Sequence, residues 1–144
     1  MEQINLIAKA EADINASSSI VWDALTNPET IKKYMFGTTV VSDWKVNSNI
    51  TWTGEWKGKT YEDKGVILQL RPERLLQYSH FSPLSGLPDL PENYHTVTIE
   101  LVPKGNQTFV LLTQDHNATE EARDHSEKNW QMMLDSLKKL LEEG

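Results

Sequence analysis

Cysteine is absent from the 144 residues of this chain. Without thiols the chain can form no disulfide, ligate no metal through thiolates and use no cysteine as a nucleophile. This absence excludes zinc-knuckle, thiol-redox and cysteine-hydrolase functions. It is compatible with the cytoplasm, where we expect the protein to reside.

Long apolar runs and clusters of positive charge are missing as well. No stretch approaches the roughly 20 apolar residues of a membrane-spanning helix, and the N-terminal residues lack the basic and apolar segments of a signal peptide. The formal charge is −7 at pH 7, and the lysines at 32–33 and 138–139 are isolated pairs. An acidic protein repels nucleic acid backbones and anionic lipid head groups, so we expect no nucleic acid partner, and we expect no membrane span.

A metal site finds little support in the spacing of the polar residues. Glu121 and His125 lie four residues apart on one face of a predicted helix, with Asp115 and His116 just upstream. This stretch is charged throughout and lacks further ligands at fixed spacing, so a solvated helix start explains it better than a metal site. We predict no metal and no cofactor.

The residues that are present indicate one globular domain. Hydrophobic residues make up 38% of the chain and charged residues 24%, which suffices for a packed core at the size of a single domain. The sequence has no internal repeats, low-complexity runs or linkers, so we assign residues 1–144 to one domain. We expect a monomer.

The order of secondary structure signals predicts an α+β fold. Alternating apolar residues over 4–14 indicate a half-buried strand, while Ser17 and Asn27-Pro28 are typical starts of two short helices. The middle of the chain shows only strand signals separated by turn residues. Asn117 is predicted to cap a long final helix. The apolar stripe of that helix consists of Trp130, Met133, Leu134, Leu137 and Leu141.

Several strings along the chain carry a family resemblance. They are Ile14-Asn15-Ala16-Ser17, VWDALTNPE at 21–29, Ser42-Asp43-Trp44, YEDKGV at 61–66, RLLQYSH at 74–80 and Asn129-Trp130. The strings resemble the activator of Hsp90 ATPase homologue 1-like proteins, a branch of the Bet v 1/START-like (SRPBCC) superfamily, over nearly the whole chain.

This resemblance implies the helix-grip fold. In that fold a seven-stranded antiparallel sheet wraps around the long C-terminal helix, two short helices lie between strands 1 and 2, and a cavity separates sheet and helix. The superfamily includes lipid and sterol carriers, hormone receptors, polyketide cyclases, antibiotic self-resistance proteins and co-chaperone domains. The function must therefore be argued from the site itself.

The candidate ligand-binding residues are those whose alternation directs them toward the implied cavity. They are Trp52, Trp56, Leu68, Tyr78, His80, His95, Val97, Phe109, Leu111, Thr113, Trp130, Met133 and Leu137. Packing of an ordinary core is the competing interpretation, because any half-buried sheet needs the same alternation.

His80 and His95 stand out because a histidine on an apolar face needs either a hydrogen-bond partner or a ligand. Neither has a serine or cysteine nucleophile with an acid at recognisable spacing, so we predict no catalytic residues and no hydrolase activity.

The segment 82–91 contains three prolines and is predicted to be a long irregular loop. It is interpreted either as a lid over a cavity mouth or as a passive connection packed on the sheet edge. Its apolar contacts as a lid would be Phe81, Leu84, Leu87 and Leu90.

The sequence leads to three hypotheses of function. The first is non-catalytic binding of a hydrophobic or aromatic small molecule, of lipid, sterol, polyketide or flavonoid type, in a continuous cavity of roughly 300 Å³ or more. The second, suggested by the family name, is docking to an Hsp90-type chaperone and activation of its ATPase, which needs an exposed apolar patch. The third is a cyclase or dehydratase with a cavity histidine as general acid or base, for which the sequence offers no positive evidence.

Overall fold

A computed structural model describes residues 6–56, 58–83 and 86–143 of the chain. Strand β1 (Leu6–Ile14) is followed by two short helices, α1 (Ser18–Thr26) and α2 (Pro28–Tyr34). The next strands are β2 (Thr39–Ser42), β3 (Asn49–Trp56), β4 (Lys59–Arg71), β5 (Leu75–His80), β6 (His95–Lys104) and β7 (Gln107–Asn117). A 3₁₀ turn at Pro91–Asn93 precedes β6, and the long helix α3 covers Glu120–Glu143.

The strands form one seven-stranded antiparallel sheet in the order β1-β7-β6-β5-β4-β3-β2. From β2 to β7, strands that are neighbours in the sheet are also consecutive in the chain. The first strand, β1, pairs with the last, β7. The predicted α+β helix-grip architecture is confirmed. The helices within the described ranges are all too short or too polar to span a bilayer.

The starts of the short helices follow the sequence signals. The Ser17 hydroxyl accepts a hydrogen bond from the Ile20 amide at 3.3 Å. The Asn27 side chain accepts one from the Glu29 amide at 3.1 Å, with Pro28 at the first helical position. Both caps satisfy amide groups that the helix itself leaves free.

The start of α3 differs from the prediction. The Thr119 hydroxyl, and not Asn117, accepts from an amide of the first turn, that of Ala122, at 3.0 Å. Asn117 ends β7, where its side-chain amide donates to the Leu6 carbonyl at 2.9 Å. Its side chain is therefore used to hold β1 to β7.

Side chains of α3 cover the free edge of β1. The backbone amides of Lys9, Glu11 and Asn15 donate to Glu127, Gln131 and Glu142 at 3.0, 3.3 and 2.8 Å. An uncovered strand edge is a template for unwanted pairing, so these bonds protect this end of the sheet. They also fix the direction in which α3 crosses the sheet.

The core lies between α3 and the inner face of the sheet. Met133, Leu134 and Leu137 of α3 are buried there, as the apolar stripe predicts. Val97 is fully buried on β6 beside them. The predicted inward positions of Trp52, Tyr78, Val97, Met133 and Leu137 agree with the structure.

The predicted orientation of β7 is wrong. Its buried side chains are those of Thr108, Val110, Leu112 and Gln114, so the alternate residues Phe109, Leu111 and Thr113 lie on the outer face of the sheet. In the run 109–112 the odd-numbered and the even-numbered residues are both apolar. Alternation alone therefore does not determine which face of the strand packs on the core. On the outer face, the Lys104 ammonium sits 4.9 Å from the centre of the Phe109 ring.

Leu68 is also placed differently from the prediction. Ile67 pairs with Tyr78 and Gln69 with Gln77, which leaves Leu68 as the extra residue of a β-bulge. Its side chain is 38% exposed, whereas Ile67 is fully buried. A bulge exchanges the two faces of the strand, so the apparent alternation of 66–70 could not be read as one face.

Candidate functional site

Two small cavities lie between the sheet and α3. The one we call the apolar cavity has a volume of about 20 Å³ and is walled by residues such as Leu25, Ile31, Ile50, Leu76, Ile99 and Met133. The other, the polar cavity, has a volume of about 70 Å³. It is lined by Thr38, Tyr61, Asp63, His80 and Trp130, and it shares Met35, Trp52 and Tyr78 with the apolar cavity.

The volumes contradict the prediction of one continuous cavity of roughly 300 Å³. Trp52, Tyr78, Met133 and Leu137 are each no more than 6% exposed and fill the space that a lipid or sterol would need. The predicted residues are therefore inside, but most of them pack against one another. What remains open is small and lies at the polar end of the interior.

Aromatic rings form one wall of the polar cavity. The Trp52 ring lies 5.0 Å from the Tyr78 ring and 5.1 Å from the His80 ring, the latter in an edge-on arrangement. Burial raises the pKa of the Tyr78 hydroxyl far above its usual range, so this phenol stays neutral. This wall combines apolar surface with hydrogen-bonding edges.

His80 and Asp63 form a polar pair on that wall. The His80 Nε2 atom lies 2.9 Å from Asp63 Oδ2, and both side chains are about one-fifth exposed, at 21% and 17%. The remaining polar atoms, His80 Nδ1 and Asp63 Oδ1, are buried and have no hydrogen-bond partner among the described residues. Buried polar atoms without partners are rare in native proteins, so this pair is a candidate position for binding.

Gly65 explains how β4 and β5 come close enough for this pair. A Cβ atom at Gly65 would fall only 1.7 Å from the Ser79 carbonyl oxygen, which no side chain could tolerate. The absence of a side chain lets β5 lie against β4 at this point. His80 thereby reaches the carboxylate of Asp63.

Tyr61 closes the polar cavity on the side of the α2–β2 connection. A Cβ atom at Gly54 would lie 2.5 Å from the Tyr61 hydroxyl, so the ring crosses β3 where glycine leaves room. The Tyr61 hydroxyl is 2.8 Å from Thr38 Oγ1. Because the single Thr38 proton is donated to the Met35 carbonyl at 2.7 Å, Tyr61 must be the donor to Thr38.

Trp130 and His95 border the same region. The Trp130 indole donates to the side-chain oxygen of Gln114 at 2.7 Å. His95 Nδ1 lies 2.8 Å from the Asp115 carbonyl, which can only accept, so Nδ1 carries the proton. Burial is the main reason that the pKa of His95 falls below its usual value. The His95 ring is 6.4 Å from the His80 ring.

The structure thus brings together four of the predicted residues around the polar cavity: Trp52, Tyr78, His80 and Trp130. Met133 lines the apolar cavity, whereas Val97 and Leu137 are core residues. Leu68, Phe109, Leu111 and Thr113 are remote from both cavities on the outer face, and the side chain of Trp56 lies outside the described part of the chain.

Sequence reasoning missed Asp63, Tyr61, Thr38 and Met35. The signal was available for two of them, because Tyr61 and Asp63 share the parity of the buried Gly65 and Ile67 on β4. The alternation along β4 could therefore have predicted Asp63 as a residue of the polar cavity. Thr38 and Met35 lie between α2 and β2, where no periodicity applies.

The described residues of the 82–91 segment line neither the apolar nor the polar cavity. Asp89 forms an ion pair with Lys64 and accepts a hydrogen bond from the Tyr94 hydroxyl at 2.6 Å. Phe81 stacks on Tyr94 with ring centres 5.1 Å apart, while Leu87 and Leu90 are exposed. The described part of the loop thus agrees with a connection packed on the sheet; Leu84 lies outside the described residues.

Comparison with solved structures supports the same architecture. A protein from Cytophaga hutchinsonii, solved in solution, is 61% identical over 99% of this chain and 97% of its own length, with a TM-score of 0.87. A protein from Mesorhizobium loti is 20% identical over 95% of this chain and 97% of its own, with a TM-score of 0.77. The Aha1 dimer from Colwellia psychrerythraea is 24% identical over 97% of each chain, with a TM-score of 0.73.

No curated protein matches this chain significantly. Residues 15–142 match the family described as Activator of Hsp90 ATPase homolog 1-like protein. That match covers nearly all of the helix-grip fold, from the end of β1 to the end of α3. The chain therefore belongs to the Activator of Hsp90 ATPase homolog 1-like family.

Proposed function

We propose that this protein binds a small molecule with an aromatic or apolar body in the polar cavity, with its polar end on His80 and Asp63, and performs no chemistry on it. The observation that carries the proposal is the pair of buried atoms, His80 Nδ1 and Asp63 Oδ1, that lack partners beside an aromatic wall. Convergent polar groups in an otherwise apolar recess are typical of ligand sites.

The energetic argument rests on what the ligand would satisfy. A buried polar atom without a partner costs about 1–3 kcal/mol, which a ligand group hydrogen-bonded to His80 Nδ1 or to Asp63 Oδ1 would recover. Apolar contact with Trp52 and Tyr78 would add about 25 cal/mol for each Å² removed from water. These two terms together favour a ligand with one polar end and one aromatic end.

The size of the polar cavity restricts the ligand class. A volume of about 70 Å³ admits a polar head group but no lipid or sterol. We place the body of the ligand toward Met35 and Tyr61, which line the polar cavity beside Thr38. The 2.8 Å hydrogen bond between the Tyr61 and Thr38 hydroxyls can be released there by a side-chain rotation, without unfolding of the sheet.

The direct test is an NMR titration of ¹⁵N-labelled protein with small aromatic alcohols, phenols, amines and flavonoids. We expect saturable shifts of the Trp52 and Trp130 indole signals, with Trp22 on α1 as an internal reference outside the cavity. Mass spectrometry should recover the bound compound unchanged. Recovery of a converted product would replace binding with an enzymatic function that uses His80 as the base.

Two methionine variants sharpen this test. Met35→Ala should enlarge both cavities, because Met35 lines each of them, and should tighten binding of the larger aromatic compounds. Met132→Ala is the matched control, since Met132 is 56% exposed on the outer side of α3. Equal behaviour of the two variants, or no saturable shift with any compound, would refute binding in this cavity.

A second candidate function is docking to an Hsp90-type chaperone, which the family description suggests. It is favoured by the exposed apolar side chains of Phe36, Val41 and Val46, at 70%, 63% and 51%. All three lie around β2, which forms an edge of the sheet. Apolar groups beside a strand edge are suited to pairing with another protein.

The chaperone hypothesis has its own test. Stimulation of the ATPase of a purified Hsp90-type chaperone is expected with the unmodified chain and should be lost in a Phe36→Ser/Val41→Thr variant. Val102→Thr on β6 is the control, because Val102 is also exposed, at 45%, but lies away from β2. Absence of stimulation by the unmodified chain would refute this candidate without bearing on the small-molecule site.

The oligomeric state also remains a proposal. We propose a monomer for this chain, while the relative from Colwellia psychrerythraea is a dimer. Light scattering after size-exclusion chromatography should give a mass near 16.5 kDa for a monomer. A mass of twice that value would show that this chain also dimerises.

A further inference from the structure

We propose that the polar end of the ligand is an ammonium group, so that the polar cavity selects primary or methylated amines carrying an aromatic or apolar body. This inference rests on the proposed small-molecule function and names the ligand class of the same site. It follows from the hydrogen-bonding capacity, charge and size of the polar cavity.

The free polar atoms of the cavity wall are acceptors. An ionised carboxylate can only accept, so in the 2.9 Å contact between His80 and Asp63 the proton lies on His80 Nε2. In the neutral form of the ring Nδ1 is an acceptor, and the second carboxylate oxygen, Oδ1, is an acceptor whichever form the ring takes. Both atoms are buried and without partners among the described residues, so a donor placed against them would satisfy both.

Nearby donors are already engaged. The Trp130 indole donates to Gln114, the Thr38 hydroxyl donates to a backbone carbonyl, and Tyr61 donates to Thr38. His95 uses its Nδ1 proton on the Asp115 carbonyl, which leaves its Nε2 as an acceptor. The Tyr78 hydroxyl has no hydrogen bond among the described residues and can donate or accept. The wall therefore offers more uncommitted acceptors than donors, which favours a ligand that donates.

Charge favours an ammonium over a neutral donor. No lysine or arginine is among the described residues that line either cavity, and the one hydrogen bond of the Asp63 carboxylate within the described chain is that to His80. A buried carboxylate is stabilised most by a cation in direct contact. The rings of Trp52, Tyr61 and Trp130 border the same space, and aromatic faces attract ammonium groups. The net charge of −7 also favours the approach of a cation.

The volume agrees with this head group. The polar cavity measures about 70 Å³, several times the roughly 10–15 Å³ that a single water molecule needs. An ammonium or a methylated ammonium has that size. The site is thus matched in donors, charge and volume to the cationic end of an amine.

The test compares benzylamine with benzyl alcohol, two probes of the same shape that differ in the charge of the end group. At about pH 7.5 we expect benzylamine to bind at least about tenfold more tightly to the unmodified chain, measured by NMR titration. Asp63→Asn should weaken benzylamine at least about tenfold and benzyl alcohol by a smaller factor, because only the amine loses a contact between opposite charges. Nuclear Overhauser contacts should place the benzylamine methylene beside the Trp52 and Trp130 indoles.

A charge-matched control separates the site from the acidic surface. Glu62→Gln removes the same charge from the adjacent residue of β4, whose side chain is exposed on the outer face, and should change benzylamine affinity by less than about twofold. An equal effect of Glu62→Gln and Asp63→Asn would overturn the inference, because it would indicate general attraction by negative charge.

The remaining outcomes distinguish the two proposals. Benzyl alcohol binding as tightly as benzylamine to the unmodified chain would overturn the ammonium assignment and leave the small-molecule function intact. Failure of both probes and of the wider aromatic panel would overturn the proposed function itself. The comparison of the two probes needs no variant, so a poorly folded Asp63→Asn protein would not prevent a decision.

Discussion

The apolar and polar cavities are neighbours in one interior. They differ in how fully side chains fill the space and in whether the surrounding polar atoms have hydrogen-bond partners. Around the apolar cavity, side chains such as Ile50, Leu76 and Ile99 are at most 3% exposed and leave about 20 Å³ unfilled. Around the polar cavity, His80 and Asp63 each keep a buried atom without a partner beside about 70 Å³ of open space. Packing is nearly complete at one end, and hydrogen bonding is incomplete at the other.

This difference separates stability from function within one core. Apolar packing needs only complementary shape, and the side chains at the apolar end supply it for themselves. A polar pair in a protein interior needs specific partners, and a protein that leaves them out loses free energy. The apolar end should therefore govern unfolding, and the polar end should govern ligand binding. The four predictions below test that division.

The largest effect is expected at the apolar end. Met133→Ala should lower the free energy of unfolding by about 2–5 kcal/mol, because it removes buried methylene groups and leaves a cavity. Met132→Ala, at the neighbouring but exposed position, should change it by less than about 0.5 kcal/mol. Urea unfolding followed by tryptophan fluorescence measures both. A small effect of Met133→Ala would mean that the apolar end is less well packed than the structure indicates.

The single and double substitutions of His80 and Asp63 should differ in how much they destabilise the fold. His80→Leu alone should destabilise the fold by about 1–3 kcal/mol, because it leaves the Asp63 carboxylate buried with no partner. The double variant His80→Leu/Asp63→Leu should recover most of that loss and should no longer bind the aromatic ligands. Equal destabilisation by the single and double variants would show that the pair is a structural element of the core.

The closure of the polar cavity should contribute less to stability. Tyr61→Phe removes the hydrogen bond to Thr38 and should cost about 0.5–1.5 kcal/mol. The same change should accelerate ligand association, measured by stopped-flow fluorescence, since it releases the side chain that ends the cavity. Thr53→Val on β3 is the control, because the only hydrogen bond of its hydroxyl among the described residues is a 3.5 Å contact on an exposed surface. An unchanged association rate in Tyr61→Phe would place the ligand entrance elsewhere.

The smallest effect concerns pH. The pKa of His95 is lowered in the folded protein, mainly by burial, so below the ordinary value of about 6.5 the unfolded chain binds a proton that the folded chain resists. His95 should therefore lower stability as the pH falls below that value and contribute nothing above it.

His95→Gln isolates this contribution. Glutamine can still donate to the Asp115 carbonyl but does not titrate, so the variant should lose less stability between about pH 7 and pH 5 than the unmodified chain. Urea midpoints at several pH values measure the difference. Parallel pH profiles for the two proteins would contradict the prediction.

Much of the fold could be predicted because its signals are local. The stripe of α3, the caps at Ser17 and Asn27, and the alternation of β1 each follow from periodicities of about 3.6 or 2 residues or from short hydrogen bonds. The family strings added the order of elements. The errors arose where two apolar parities compete, as over 109–112, or where a bulge exchanges the faces of a strand, as at Leu68.

The candidate site was less predictable than the fold. His80 and Trp52 were found because they stand out on apolar faces, whereas Asp63 was missed although it shares the parity of the buried Ile67. An acidic side chain on a strand is usually exposed to solvent, and the residues that pack around it in the folded protein determine whether it is buried. The predicted cavity volume failed for the same reason, since the space left among large side chains depends on how they pack.

By itself the sequence determined the family, the helix-grip architecture and the set of large side chains that must leave water, because these depend on the order of residues along the chain. The tertiary structure decided which face of β7 is inside, how little space remains under α3, and that Asp63 meets His80 across two strands. Each of these depends on the close approach of distant segments. Gly65 and Gly54 permit that approach, because the backbone of β5 lies where a side chain of Gly65 would be and the Tyr61 ring lies where a side chain of Gly54 would be. Local periodicity carries no information on such distances, and it is those distances that bring two unpartnered polar atoms, His80 Nδ1 and Asp63 Oδ1, to one site.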